Sequence, residues 1–443
     1  MWGRPAMIAQ IALPSCMKLP LPPDAFSSVP LDADKVDELK KIAHNTVQQV
    51  LDCVRLTNGP IAWTRVADEK VVHVYFGVDA AAPPSVTSWL GVSEVVATLD
   101  EVSALLYSSS TADYRNHLRL VFNEAMDGVR IANLVTPTPE NPRQFVGVNW
   151  VVQKAPGNGI LVKHRDWCYV ESHQDAVLVD GRHAWVRAMT SVDLPACPPL
   201  PPFVRGRNHR SGIVFVETDR PGTLQVLQLM QLDICGDVSR VAIVGDYLTQ
   251  LCVKKRFRTM VDSMERALRS YRMGQSGQFA PDVAILTSNS TPTHCRLCTK
   301  KFGIMTKASK CRKCAQVVCR HETCSACWDV KVDGELGSHR ICTVCWLAAS
   351  RQTSRAIVPS QHQKTQGGSS WESRSRDVPW MIDGGSSFSH KVVDPIILGG
   401  SDDDDIESNL DTCPSTVLFD SSIMGAMPQT SSTVQLVDSA THS

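Results

Sequence analysis

The cysteines between residues 295 and 345 are the residues whose type and spacing most directly predict chemistry. Nine of the sixteen cysteines of the 443-residue chain lie in this stretch. Eight of them form four Cys-x-x-Cys pairs, and each such pair can present two thiolates to one ion from a single tight turn. The pairs are Cys295–Cys298, Cys311–Cys314, Cys324–Cys327 and Cys342–Cys345, and Cys319 is the ninth cysteine.

The number of pairs favours metal binding over disulfides or redox chemistry. Eight thiolates suffice for two tetrahedral Zn²⁺ ions, and a structural zinc can contribute about 10–16 kcal/mol to folding. The opening residues do not resemble a secretory leader and no apolar run is long enough to span a membrane, so we expect a reducing, cytoplasmic compartment where disulfides are rare. A redox centre would not need four such pairs. We therefore predict two structural zinc ions.

The spacing of these cysteines also resembles that of the FYVE zinc finger. The resemblance rests on the first two pairs, on Cys319, on Cys324 followed by Ser325, and on "RICTVC" at 340–345. It implies a cross-braced order of ligands. The implied ligands are Cys295, Cys298, Cys319 and Cys324 for the first ion, and Cys311, Cys314, Cys342 and Cys345 for the second. Cys327 is then the spare cysteine, and Cys327 in place of Cys324 is the alternative.

Basic residues near the second pair belong to the same resemblance. FYVE fingers bind phosphatidylinositol 3-phosphate through a basic stretch that contains two histidines, whereas the corresponding "KASKCR" (307–312) contains none. The resemblance implies charge-assisted hydrogen bonds to the lipid from Lys307, Lys310, Arg312 and Arg340. We expect a phosphoinositide-containing membrane as the partner, bound peripherally at endosomes.

The loop between the first two pairs combines apolar and basic residues. Phe302, Ile304 and Met305 lie among Lys300, Lys301, Lys307 and Lys310. Such a loop can insert shallowly into an anionic membrane, where each lysine adds about 1 kcal/mol. The alternative is that Phe302 packs against the finger and the lysines are simply solvated.

A second cysteine frame fits the same sequence. The spacing of the RING fingers of ubiquitin ligases is matched by Cys319, His321, Cys324, Cys327, Cys342 and Cys345, preceded by Cys295 and Cys298. This frame leaves Cys311 and Cys314 unused, although they form a well-spaced pair beside basic residues. A RING-like ubiquitin ligase, or a finger that binds only proteins, is therefore the alternative function.

The region before the finger predicts an α+β domain. Apolar residues at helical spacing predict helices over 34–53, 93–107 and 245–272. Short β-rich runs separated by Gly and Pro predict hairpins of an antiparallel sheet at 71–78, 145–159, 160–172, 183–194, 211–222 and 223–234. A long closing helix over such a sheet leaves room for a pocket between them.

The order of these segments resembles the START lipid-transfer fold, in particular the START-like domains joined to FYVE-type fingers in oomycete proteins. The resemblance is carried by "VNWVVQKAPG", "VKHRDWCYVE" and "VRGRNHRSGIVFVE", and it implies a helix-grip arrangement with a hydrophobic tunnel for a lipid. Arg165 and Asp166 are interpreted as an ion pair that braces the sheet or as a polar floor for a lipid headgroup. Trp150 and Trp167 flank this strand pair.

Composition divides the chain into regions. We predict a flexible N-terminus at 1–29, the START-like domain at 30–275, a linker at 276–290, the FYVE-type finger at 291–350 and a disordered tail at 351–443. Ser, Gly, Gln and Asp dominate the tail, which therefore contains too little apolar surface to fold.

Two function classes are disfavoured by the motifs. The sequence has no nucleophile elbow, phosphate loop or His-Glu metal motif, so we expect no catalytic residue and no enzyme activity. The formal net charge is zero, and the basic stretch "KKRFR" (254–258) is interpreted as a solvated helix face. We therefore expect no nucleic-acid partner.

Overall fold

The computed structural model describes residues 18–26, 31–68, 71–122, 124–155, 159, 162–236, 245–276, 279–281 and 292–356. All of these residues belong to one compact unit. The predictions for residues 1–17, for most of the linker and for the tail beyond residue 356 lie outside the described residues.

A long antiparallel sheet forms the body of the region before the finger. Its strands are β1 (Ala62–Asp68), β2 (His73–Val78), β3 (Thr87–Val96), β4 (Ala125–Val135), β5 (Phe145–Gln153), β6 (Arg165–Val177), β7 (His183–Ser191), β8 (Val204–Arg205), β9 (Arg207–Asn208), β10 (Ser211–Glu217) and β11 (Thr223–Asp233). The order is β1-β2-β3-β11-β10-β7-β6-β5-β4, with β8 beside β6 and β9 beside β11. Only the short β6–β8 pairing of the described strands is parallel. The predicted antiparallel sheet is confirmed.

Helix α1 (Ala33–Cys53) covers one face of this sheet. The Asp32 side chain caps the helix by accepting a hydrogen bond from the Lys35 N–H at 2.7 Å. The buried stripe of α1, which includes Val47 and Val50, packs against β6, β7 and β10. The helix begins at Ala33, one residue before the predicted start at 34.

Residues 18–26 lie on the sheet although they belong to the stretch for which we predict flexibility. The Phe26 ring is 5.5 Å from the Trp150 ring and is only 5% exposed. The Leu21 N–H also donates to Asp127 at 2.6 Å. A buried aromatic ring and a hydrogen bond to a carboxylate hold this part of the N-terminal region.

Three helices lie on the opposite face of the sheet: α2 (Leu99–Leu106), α3 (Thr111–Val121) and α4 (Gly245–Gln275). Met260 and Leu268 of α4 pack with Trp185 and Phe215 of the sheet, whereas the alternate strand residues face α1. Helix α4 approaches the sheet closely at Gly91, where an added Cβ would lie 2.5 Å from the Phe257 ring. Gly91 has no side chain, and this leaves room for Phe257 of α4 where the helix crosses the sheet.

The prediction of one helix over 93–107 is wrong in its first part. Residues up to Val96 belong to β3 and pair with β11, and the helix begins after Thr98, which forms a capping box with Glu101. Val92 packs with the residues under α1 and Val95 with those under α2. A strand with apolar residues on both faces resembles helical spacing, which is why sequence periodicity misassigned it.

The finger consists of two hairpins and a helix. Strand β12 (Ala308–Lys310) pairs with β13 (Val317–Cys319), β14 (Ser325–Val332) pairs with β15 (Glu335–Cys342), and α5 (Thr343–Ala356) follows. Its core contains Val318, Trp328, Val330 and Ile341, and Met273 of α4 is buried in the same cluster. Helix α4 therefore contributes to the cores of both regions. None of the described helices combines the length and apolarity needed to cross a bilayer.

Candidate metal centres and buried cavity

Two groups of four cysteines lie in the finger. The first group is Cys295, Cys298, Cys319 and Cys324, and the second is Cys311, Cys314, Cys342 and Cys345. Within each group the sulfur atoms all lie within 4.8 Å of one another, so each group could hold a metal ion. These are the same two sets of four that the FYVE resemblance implies.

Burial and hydrogen bonds shift the pKa values of the thiols in both groups. Burial raises the pKa of Cys324 and Cys345 to about 12. Burial also works to raise the pKa of Cys295, but backbone N–H groups, including that of Cys319 at 3.2 Å, lower it to about 6. A hydrogen bond from Cys342 lowers the pKa of Cys311 to about 4.

Cys295 and Cys311 therefore ionise readily, whereas burial opposes the ionisation of Cys324 and Cys345. Four adjacent thiolates repel one another, and a bound cation would offset that repulsion and favour the deprotonated sulfurs. The donor set, four cysteine sulfurs around one point, is the set that structural zinc sites use. The residues thus fit the predicted metal.

Cys327 lies outside both groups. The Arg340 guanidinium donates to its sulfur, with Nη2 to Sγ at 3.2 Å. Between the two candidates for the first group, the structure places Cys324 there.

The RING ligand frame does not match the structure. That frame leaves Cys311 and Cys314 unused, yet both lie in the second group. It also needs His321 as a ligand, whereas this exposed side chain hydrogen-bonds the Thr323 hydroxyl through Nδ1 at 2.8 Å. The physical reason is the β12–β13 hairpin. Its turn holds Cys311 and Cys314 and places them beside Cys342 and Cys345, where α5 begins.

The resemblance implies four basic residues for lipid binding, and Arg312 and Arg340 are among those that make hydrogen bonds inside the chain. Arg312 donates through Nη1 to the Ala280 carbonyl at 2.7 Å. Arg340 donates to the Ser325 hydroxyl at 3.2 Å, and burial together with Arg320 lowers its pKa. Lys307 is exposed and Lys310 half-buried at the edge of the same hairpin.

The predicted membrane loop divides into two parts. Phe302 packs partly into the core of the finger, as in the alternative interpretation. Ile304 and Met305 are 93% and 97% exposed at the tip. Hydrogen bonds in both directions between the backbones of Gly303 and Thr306, each 3.2 Å, close this tip. Lys300, Lys301 and Lys307 are exposed beside it.

A small cavity lies between the sheet and helices α3 and α4. Its volume is about 80 Å³. The lining residues are Leu118, Phe122, Val151, Gln153, Trp167, Tyr169, Arg187, Met189, Asn208, Ser211, Gly212, Ile213, Gln228, Leu229, Met230, Leu232 and Arg256. Ligand pockets usually measure roughly 300–1,000 Å³. A whole lipid therefore needs a movement of the walls to enter.

Three lining residues have buried polar atoms that find no hydrogen-bond partner among the described residues. They are Arg187 Nη1, Trp167 Nε1 and Asn208 Oδ1. Leaving such atoms unpaired costs about 1–3 kcal/mol each. Two donors and one acceptor in an otherwise largely apolar wall suit the polar end of a mostly apolar ligand.

Beneath the cavity lies a buried network centred on Glu171. Its Oε1 accepts from Arg187 Nε at 2.7 Å and contacts His173 Nε2 at 2.6 Å, and Oε2 accepts from Asn149 at 2.6 Å. Burial works to raise the pKa of Glu171, but Arg187 and His173 hold it well below its usual value. Glu171 is therefore a permanent anion inside the domain.

Two tyrosines and a histidine adjoin this network. The hydroxyls of Tyr114 and Tyr169 lie 2.5 Å apart. Burial raises the pKa of Tyr169 to about 12 and lowers that of His117 to about 3, with Arg187 acting in the same direction on His117. Both tyrosines and His117 are thus neutral at ordinary pH.

The interpretation of Arg165 and Asp166 as one ion pair is wrong, because adjacent strand residues point to opposite faces. Asp166 instead binds Arg205, with Nη2 to Oδ2 at 2.7 Å, and accepts from Trp150 Nε1 at 2.9 Å. Arg165 donates to backbone carbonyls, among them that of Ile234 at 3.0 Å. Neither lines the cavity, so the polar floor belongs to other residues.

The prediction that "KKRFR" (254–258) forms a solvated helix face is wrong for two of its residues. Phe257 is buried against Gly91, and Arg256 lines the cavity and binds Glu124 at 3.1 Å.

A larger groove, of about 790 Å³, lies between α2, the β10–β11 turn, the C-terminal end of α4 and Ala349 of α5. Its arginines are already paired, Arg272 with Glu101 and Arg220 with Glu94. We assign it no ligand.

Sequence reasoning missed Arg187, Glu171 and Asn208. One signal was available for two of them: Glu171 and Arg187 occupy strand positions whose neighbours two residues away are aromatic or apolar, and charged residues on a buried strand face are uncommon unless paired.

One known family matches the part of the chain that contains most of the sheet. Residues 132–247 match the family model of the START domain. This range includes the strands from β5 to β11 and most of the cavity wall. The START resemblance is thereby confirmed for this part of the chain, whereas the finger has no corresponding family match here.

Several solved structures align with part of this chain at low TM-scores. Human StAR-related lipid transfer protein 5 is 18% identical with a TM-score of 0.41, over 53% of this chain and 97% of that chain. Human STARD10 is 13% identical with a TM-score of 0.36, over 53% and 80%. A fragment of a STAR-related lipid transfer protein from Xanthomonas axonopodis is 17% identical with a TM-score of 0.32, over 47% and 98%. Such low scores carry no inference about ligands. No curated protein matches the sequence.

Proposed function

We propose that this chain is a non-enzymatic peripheral membrane protein in which a helix-grip START-like domain binds a lipid and a cross-braced, two-zinc finger docks on the membrane. The observation that carries the proposal is the cavity under α4, whose largely apolar lining includes three residues with buried, unpartnered polar atoms. The START-family match to residues 132–247 supports the same conclusion. The site of action is the cytoplasm, at endosomal membranes.

The lipid in the cavity carries a hydrogen-bond acceptor at its polar end, since Arg187 Nη1 and Trp167 Nε1 are donors. Trp167→Phe removes the indole N–H together with the five-membered ring, and we expect it to weaken lipid binding about fivefold, the value of one net hydrogen bond. Trp63→Phe is the matched control, because Trp63 Nε1 donates to the Cys53 carbonyl away from the cavity.

The measurement uses the full chain and phosphatidylcholine vesicles that contain an NBD-labelled fatty acid, sterol or phospholipid in separate experiments. Binding of one probe, weakened by Trp167→Phe and unchanged by Trp63→Phe, supports the proposal. Failure of all three probes to bind, together with no copurifying lipid in mass spectra of the extracted protein, contradicts it.

The zinc ions serve to fold the finger, with the eight cysteines of the two groups as ligands. Elemental analysis of the purified chain should give two zinc ions. Cys311→Ser should reduce this to one, because the second group loses a ligand, while Cys327→Ser should leave two. A wild-type content of one ion or none would rule out the two-site assignment.

The finger docks through its exposed tip and the lysines beside it. Replacing Ile304 and Met305 by aspartate should abolish flotation with anionic vesicles, since the tip would no longer enter the interface. Val179→Asp, at an equally exposed valine of the START-like domain, is the control. Unchanged flotation of the tip variant would assign the finger to protein binding instead.

The headgroup is the remaining part of the proposal. By resemblance to FYVE fingers, the lipid is phosphatidylinositol 3-phosphate and its contacts come from Lys307, Lys310, Arg312 and Arg340. Vesicles with this lipid should bind more tightly than vesicles of equal charge made with phosphatidylserine. The preference should be lost in the Lys307→Ala, Lys310→Ala double variant, and equal binding to both vesicles would show a purely electrostatic interaction.

A further inference from the structure

The finger is firmly attached to α4. Met273 of the helix is 1% exposed within the core of the finger. The Arg266 guanidinium lies over the Trp328 ring, 4.8 Å from its centroid, and donates to the Cys327 carbonyl at 2.6 Å. Because burial and a cation–π contact act together here, the finger and the C-terminal half of α4 form one packed unit.

The β14–β15 hairpin, which carries Cys327 and Trp328, also contacts α3, but weakly. Arg119 lies 3.5 Å from Asp329 of β14, and Asp113 lies 3.8 Å from Lys331 of the same strand. The side chains of Arg119 and Asp113 are 47% and 40% exposed, and such pairs contribute little to stability. The charges of α3 and β14 are complementary, because a positive side chain faces a negative one in each of the two pairs.

Both α3 and α4 border the cavity. Leu118 and Phe122 belong to α3 and the residue that caps it, and Arg256 belongs to α4. The other walls are strands held by continuous hydrogen-bonded ladders. Since the cavity is too small for a lipid, one wall has to move. Movement of α3 breaks no ladder and leaves α4 on the finger, and it requires α3 to separate from β4, from α4 and from the Tyr169 hydroxyl.

We propose that the β14–β15 hairpin is a latch on the cavity. Anchored to α4, it adds the Arg119–Asp329 and Asp113–Lys331 pairs to the buried contacts of α3, and breaking these pairs increases the fraction of molecules in which α3 opens to admit the ligand. This inference rests on the proposed lipid-binding function of the cavity.

The first test needs no ligand. Hydrogen–deuterium exchange of the α3 amides should become about fivefold faster in Asp329→Arg, because one exposed ion pair is replaced by repulsion. Adding Arg119→Glu to this variant restores an opposite-charge pair and should return the rate toward that of the wild type. Lys35→Glu, which breaks a comparable exposed pair with Glu38 on α1, is the matched control. Unchanged exchange of α3 in Asp329→Arg overturns the latch.

The second test separates the latch from the proposed function. Uptake of an NBD-labelled fatty acid from phosphatidylcholine vesicles should be faster in Asp329→Arg and normal in the double variant. Uptake at the wild-type rate by all variants overturns the latch while leaving lipid binding intact. Absence of uptake by every variant, with α3 exchange still dependent on the charges, contradicts the proposed function and shows that the contact serves only to hold α3.

Discussion

At the scale of single residues, the buried anion Glu171 depends on its partners. Each of its two oxygens is engaged, and Arg187 supplies the compensating charge. Removing one member of a buried ion pair leaves an uncompensated charge, which is more costly than losing an exposed pair.

Arg187→Met should therefore lower the free energy of unfolding by about 3–5 kcal/mol, measured by urea denaturation. Arg207→Met, which removes an exposed pair with Asp193, should cost less than about 1 kcal/mol. Equal losses in the two variants would show that Glu171 is protonated or hydrated after all.

His117 makes a separate contribution, to the pH dependence of stability. Its pKa of about 3 in the folded state lies below the model-peptide value of 6.5 because of burial and Arg187. Between these values the unfolded chain binds a proton that the folded chain does not. Stability contributed by this group is thus present above pH 6.5 and is lost as the pH falls toward 3.

Between pH 7 and pH 5, the free energy of unfolding should decrease by about 2 kcal/mol more in the wild type than in His117→Gln. Denaturant titrations at the two pH values measure this. His44→Gln, at an exposed position on α1, should retain the full decrease, and an equal decrease in His117→Gln would mean that another group titrates.

At the scale of elements, local patterns predicted those that are built from one clear periodicity. Helix α1 has a single buried stripe and a capping aspartate, so its sequence alone indicated it. Strand β3 buries both faces, and only its pairing with β2 and β11 identifies it. Helix α3 was not predicted, although Ser110 caps it and Tyr114 and Leu118 are buried in it.

The crossing of α4 over β3 yields an element-scale prediction. Gly91→Ala places a methyl group 2.5 Å from the buried Phe257 ring, so the helix has to shift. The variant should lose about 1–3 kcal/mol of stability in denaturant titration. Gly303→Ala, with open space around its added Cβ, is the control, and a stable Gly91→Ala would show that α4 packs less closely.

At the scale of the whole molecule, α4 connects the two regions through Met273. Removing metal with a chelator should unfold the finger and expose this side chain. Hydrogen exchange in residues 260–275 should then increase, because the packing of Met273 in the core of the finger is lost. Exchange in α1, which packs on the opposite face, is the internal control, and unchanged exchange in 260–275 would show that α4 holds its position without the finger.

The sequence by itself determined the cysteine pairs and the alternation of strands, because ligand type, short spacing and local periodicity are properties of neighbouring residues. Only the tertiary structure decided which cysteines meet, since Cys311 and Cys342 are brought together by hairpins rather than by spacing. The same holds for Glu171 and Arg187, which lie on adjacent strands, and for the contact of the finger with α3. These depend on how distant segments pack, which no local pattern records.

At "SKCRKCAQVVCRHETCSAC" (309–327) the difference is most direct. Spacing allowed both a FYVE-like and a RING-like choice of ligands. The three-dimensional arrangement groups Cys319 and Cys324 with the first pair and leaves Cys327 outside, because β14 starts at Ser325 and carries Cys327 onto a strand facing Arg340.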